Sequence, residues 1–202
     1  MATQAVLRDP EWDVAALHWE HGPSPVQCVF RRVRGGWEPW VIVARSAIMQ
    51  RVGRQGLGLY ATRSFKQDDF VGLYDGQVVG TYASRDAALA SPACARLVRR
   101  GHDKLITRRR SQGAGVELVD GESGGPPFLH RMNDPRGTAM RANVELTPGG
   151  WVKVTQRRVP AFDLQSGVDA NIGAELRLAY GEGYWGMMDR LGTSVVHAIE
   201  VD

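Results

Sequence analysis

The 202-residue chain is 43% hydrophobic and 23% charged, close to globular averages, so it can bury a core of its own and is not a disordered chain. Two cysteines, Cys28 and Cys94, and five scattered histidines show no C-x-C or C-x-x-C spacing, which argues against a metal-built fold. No apolar run reaches the length of a membrane helix, and the net charge is only +3, so membrane partners are not expected.

In chain order, "DPEWDVAALHWEHG" predicts a short helix, with Asp9 as N-cap, Pro10 in the first turn and Gly22 beyond its end. "PVQCVFRRV" and "WEPWVIVAR" run in the β manner around a turn at "RGG". Residues 1–50 therefore read as an N-terminal extension, a short helix plus β structure, packed on a main body at 51–202. Two β runs follow, Leu57–Ala61 and one from Phe70 toward Val79. "YASRDAALASPACARLVRRG" then predicts one broken helical stretch stopped by Pro92. "DKLITR" and "VELVDG" predict short strands around a flexible tip at "RRSQGAG", completing an insertion over about 81–128. "ANVELTPGGWVKVTQRRV" predicts a hairpin turned at "TPGG", and "AELRLAYGEGYW" a further β run. With 24 glycines and 10 prolines, the sum is a mainly β fold with few short helices.

Of the 25 basic residues, lysine supplies three (Lys66, Lys104 and Lys153), leaving 22 arginines. Short clusters at 31–34, 99–100, 108–110 and 157–158 could meet phosphates. They lack interleaved aromatics, so a solvated surface is the first reading and nucleic acid a weakly supported partner.

"GRQGLGLYATRSF" (53–65) holds a G-x-G-x-x-A spelling at Gly56, Gly58 and Ala61, with Asp75 near the position of a ribose-binding carboxylate. The dinucleotide reading needs a buried strand before those glycines and a helix after them. Polar "MQRVGRQ" precedes them and two β runs follow, so that reading is rejected.

Four pieces in fixed order, "GLGLYATRSF", "LYDG", "RMND" with "ANVEL", and "AELRLAYGEGYW", together resemble the SET domain of protein lysine methyltransferases over roughly residues 50–186. The resemblance implies small curled β-sheets with a C-terminal segment threaded under a preceding loop, an exception to unknotted topology. It also implies methyl transfer from S-adenosylmethionine to a lysine amine, leaving S-adenosylhomocysteine, with no metal. The expected partner is a lysine-bearing protein, a histone tail being the commonest target of compact members, although a basic chain offers a basic tail no complementary groove. A reducing, soluble compartment is expected, the nucleus favoured over the cytoplasm.

Carried over by motif, Gly56, Leu57 and Gly58 would bring bare backbone to the methionine part of the cofactor. Asn133 would bind its amino group, and Asp134, where the family usually has histidine, would contact adenine through its main chain. An Asx turn before Pro135 is the alternative for this pair. Tyr180 matches the tyrosine of the D-Y-G segment and would position the reacting groups with a protonated hydroxyl; Ala179 replaces the usual aspartate. Tyr74 would line the lysine channel, as would Leu178 at the position where an aromatic often limits the number of methyl groups. Tyr184 and Trp185 would form an apolar lid over channel and cofactor, in place of a cysteine-rich zinc tail. Asn143, reached over a longer gap than usual, is expected to be structural. These departures keep open a second reading, an inactive SET-like protein-binding module.

Overall fold

The computed structural model describes residues 11–17, 26–102 and 104–191. Strands outweigh helices, and every ladder in the four small sheets is antiparallel. The first sheet runs β1 (Trp12–Leu17), β2 (Val26–Val33), β3 (Gly36–Arg45) and β4 (Leu57–Ala61) in that order. A two-residue turn joins β2 to β3, and its Gly35 takes a φ of 104° that other residues avoid. Pro39, which has no N–H to give, sits opposite Phe30 where the β2–β3 register shifts.

β1 corrects the first expectation. Trp12–Leu17 is a strand rather than part of a helix, paired along its length with β2 from Trp12↔Arg31 to Leu17↔Val26. A helix this short is marginal alone, while β2 offers a whole edge of unpaired backbone groups and Trp40 a ring 6.5 Å from that of Trp12. Asp9, Pro10 and Gly22 lie outside the described residues.

The second sheet is β10 (Val144–Leu146), β11 (Trp151–Val154) and β6 (Phe70–Leu73). Its hairpin turns at Thr147–Gly150 as expected, closed by a 2.8 Å bond from the Thr147 N–H to the Trp151 carbonyl. The third pairs β5 (Phe65–Lys66) with β12 (Arg158–Val159), and the fourth is β7 (Gln77–Tyr82), β9 (Val116–Asp120) and β8 (Leu105–Arg109). The run from Phe70 toward Val79 is thus two strands in different sheets, broken at Tyr74–Gly76.

Helix α1 (Ala47–Arg51) is capped by Ser46, α2 (Arg85–Leu89) by Ser84 and α3 (Pro92–Arg99) by Ser91, each hydroxyl accepting from the N–H three residues on. Pro92 does not stop the helical stretch. It opens α3 at the position where its missing N–H costs nothing. The expected β run over "AELRLAYGEGYW" is also corrected: Glu175, Arg177 and Leu178 make only isolated bridges, and the end of the segment enters α4 (Glu182–Arg190). No helix of the described residues is long and apolar enough to cross a membrane.

Two apolar clusters meet along one seam. The larger joins the first and second sheets through Trp40, Val41, Leu59, Val71, Val152 and Leu176. The smaller packs α2, α3 and α4 on the fourth sheet through Leu89, Cys94, Leu118 and Met187. Tyr180, half-buried, packs against both. Trp40 ties the first sheet to the second by a buried 2.7 Å bond from its indole N–H to the Val71 carbonyl, and Arg31 and Arg63 lie 4.7 and 5.0 Å from its ring. Trp40→Phe should lower unfolding free energy by about 2 kcal/mol, because it orphans a buried carbonyl and weakens two cation–π contacts; urea titration followed by circular dichroism measures it.

Candidate functional site

The site is built on a fully buried carboxylate. Glu175 Oε1 accepts from the Ser46 hydroxyl at 2.6 Å and from the Asn133 amide at 3.2 Å. Its Oε2 accepts from the Ile48 N–H at 3.1 Å and lies 3.2 Å from the Tyr60 hydroxyl. That hydroxyl accepts from the Ala47 N–H and has one proton, which the Arg45 carbonyl at 2.7 Å draws more strongly. Burial, and then the charge of Glu175, push the Tyr60 phenol far above its ordinary range, so it stays a neutral donor. One side chain therefore joins α1, β4 and the middle segment.

The chain from Ala174 to Tyr180 crosses three other segments. Ala61 donates to the Ala174 carbonyl and Leu176 to the Leu59 carbonyl; Leu178 donates to the Asn133 carbonyl, and Asn143 to that of Arg177. The Asn143 side chain pairs both ways with this segment, giving an N–H to the Glu175 carbonyl at 2.8 Å and accepting from the Arg177 N–H at 2.7 Å. The Arg177 guanidinium donates to the carbonyls of Arg141, Ile172 and Glu175. Its burial lowers its pKa, against the pull of Glu175.

Asn133, buried, gives one amide hydrogen to the Leu57 carbonyl at 2.9 Å and the other to Glu175. This orientation leaves its amide oxygen as an acceptor bonded to none of the described residues. Asp134 does form the Asx turn, accepting from the Arg136 N–H at 2.8 Å through Oδ1. Its Oδ2 reaches further, accepting from the Tyr180 N–H at 2.8 Å and the Trp185 indole at 3.1 Å. Trp185 stacks beside Tyr180 with ring centroids 6.1 Å apart, and Tyr184 meets Tyr180 edge-on at 4.8 Å. The Tyr180 hydroxyl donates to the Met132 carbonyl at 2.8 Å.

A cavity of about 640 Å³ opens at the seam between the two clusters, lined by Tyr74, Met132, Leu178, Tyr180 and Tyr184 together with Lys104. Tyr74, Leu178 and Tyr184 are the residues expected around a channel, and Tyr180 the one expected to position the reacting groups. Gly56, Leu57, Gly58, Asn133, Asp134 and Trp185, expected around a cofactor, do not line it. Of these, Asn133 is tied to Leu57 and Asp134 to Trp185. The cavity passes between β8 and β10, each the edge strand of its sheet. Arg85, Lys104, Arg108 and Arg109 line it against Glu145.

The glycines have reasons of their own. A side chain on Gly58 would run into the Glu175 carboxylate and Ser46, and one on Gly56 would press on Met49. Gly58 thus admits the buried acid, which the G-x-G spelling alone does not reveal.

Four contributors went unread in the sequence: Ser46, Lys104, Met132 and Glu175. Glu175 carried a signal, a lone carboxylate inside the apolar run "GAELRLAYG". Met132 acts through its carbonyl, to which side-chain identity gives no clue. Among the described residues no group of three or more His, Cys, Asp or Glu could hold a metal ion. No known protein family and no curated protein matches the sequence.

Beside the site, buried His130 has no partner for its Nδ1 among the described residues. Burial, then repulsion from Arg131 and Lys104, push its pKa from 6.5 to about 4, with Asp120 opposing. The unfolded chain therefore takes up this proton first, so stability is complete above pH 6.5 and declines as pH falls toward 4. His130→Asn should flatten the decline of urea midpoint across that window relative to wild type. Gly58→Ala should cost about 2–3 kcal/mol by overpacking, read as a lowered urea midpoint with unchanged slope.

Proposed function

We propose that the chain is a protein-lysine N-methyltransferase of the SET type, using S-adenosylmethionine as methyl donor. The observation that carries this reading is the convergence on Tyr180: its hydroxyl bonds the Met132 carbonyl, its N–H bonds Asp134, its ring lines the aromatic cavity, and Asn133, between those two residues in the chain, bonds Leu57. In this reading the crossing segment 174–180 is the threaded C-terminal piece of that fold.

The acceptor set suits a cationic ligand. S-adenosylmethionine would supply an activated methyl group; the Asn133 amide oxygen and the main chain at Leu57–Gly58 would hold its amino-acid end. The remaining work falls to neutral oxygens. Tyr180 directs its single proton to Met132, and its oxygen, which accepts from Lys104 Nζ at 3.3 Å, would accept an N–H of the incoming amine in the same way and aim the nitrogen. Tyr74, Leu178 and Tyr184 shed water from that amine, favouring its neutral, attacking form.

A histone tail stays among the candidate substrates, but the arginines beside the cavity give it no support; an acidic or neutral stretch around the target lysine complements them better.

Tyr180→Phe should lower kcat at least 100-fold, since amine alignment is lost, while S-adenosylhomocysteine binding by calorimetry changes less than threefold. Labelled S-adenosylmethionine with histones and cell extract tests the whole reading. Binding of a protein without label transfer would favour the inactive module; equal loss of binding and turnover in the variant would remove Tyr180 from its role.

A further inference from the structure

Lys104 is held at both ends by tyrosines of the cavity, Tyr74 and Tyr180. Its carbonyl accepts from the Tyr74 hydroxyl at 3.1 Å and from the Gly121 N–H at 2.9 Å, which fixes the backbone where β8 begins. Its side chain runs into the cavity, and Nζ donates to the Tyr180 hydroxyl at 3.3 Å, lying 5.7 Å from the ring centroid. Since Tyr180 gives its own proton to Met132, Lys104 fills the acceptor direction that the proposed mechanism assigns to a substrate amine. Residue type sharpens the point. The chain uses arginine at 22 of its 25 basic positions, and a guanidinium is no nucleophile at neutral pH. The other two lysines lie elsewhere: Lys66 is exposed, and Lys153 pairs with Asp68 and Glu145.

The geometry points to Lys104 as a modification site, the chain's own substrate, methylated in cis. The inference rests on the methyltransferase reading. The Lys104 ammonium releases one proton to solvent, and its nitrogen lone pair forms a bond to the methyl carbon of S-adenosylmethionine. The carbon–sulfur bond breaks with its electron pair passing to sulfur, so the products are Nε-methyl-lysine and S-adenosylhomocysteine. Until it is displaced, the same side chain competes with any lysine arriving from another protein.

The test uses the 202-residue chain carrying Lys66→Arg and Lys153→Arg, two surface changes that leave Lys104 as its one lysine. Incubated with deuteriomethyl S-adenosylmethionine and digested for tandem mass spectrometry, it should carry the label on Lys104. The initial rate per molecule should stay within twofold across a tenfold range of protein concentration. A second readout needs no turnover: in cofactor-free wild type, acetylation by an N-hydroxysuccinimide ester should be at least tenfold slower at Lys104 than at Lys66, and Tyr180→Phe should narrow that gap.

A rate per molecule that rises with concentration, label confined to Lys66 or Lys153 in wild type, or acetylation of Lys104 as fast as that of Lys66 would each overturn the inference. If S-adenosylhomocysteine binds and extract proteins are labelled while Lys104 stays unmodified, the cis reaction fails and the methyltransferase reading stands. If neither cofactor binding nor any label transfer is seen, both fail.

Discussion

The Glu175 carboxylate holds the architecture of the site. It is fully buried, and donors from Ser46, Ile48 and Asn133 converge on it with the Tyr60 phenol beside it. A buried charge is tolerable only when its lone pairs are satisfied, and these donors come from elements far apart in sequence. The requirement fixes α1 against β4 and brings Asn133 to Leu57. It also dictates that residue 58 have no side chain. The crossing segment that carries Glu175 then delivers Leu178 and Tyr180, a few residues on, to the seam between the two cores.

At that seam the chemistry divides by side. Amide, carbonyl and hydroxyl oxygens gather at Met132, Asn133 and Tyr180, while aromatic and aliphatic surface from Tyr74, Leu178 and Tyr184 faces the cavity. In the proposed reaction the oxygens would stabilise positive charge, and the aromatic and aliphatic part of the cavity wall would favour an uncharged amine.

Local pattern made the antiparallel hairpins legible: alternating apolar residues around "RGG" and "TPGG" suffice to place β2, β3, β10 and β11. It failed at Trp12–Leu17, where Asp9, Pro10 and Gly22 suggested the start and end of a helix and the edge of β2 imposed a strand. It failed again at Pro92, because the same residue ends one helix and starts another depending on whether a serine precedes it. In the site, Tyr74, Leu178, Tyr180 and Tyr184 line one cavity. The role of Glu175 was hidden because its donors, a serine hydroxyl, one main-chain N–H and an asparagine amide, lie between 42 and 129 positions before it. Lys104 was hidden for a related reason, since only the fold brings it opposite Tyr180.

The Asp134 clamp has a mechanical corollary. A single carboxylate oxygen holds the amide of Tyr180 and the indole of Trp185, one lying just before α4 and the other inside it. An imidazole in that place has one lone pair for the task and could not grip both. With the acid, phenol and helix behave as a lever on a common pivot, so a tilt of α4 cannot leave the aim of the hydroxyl unchanged.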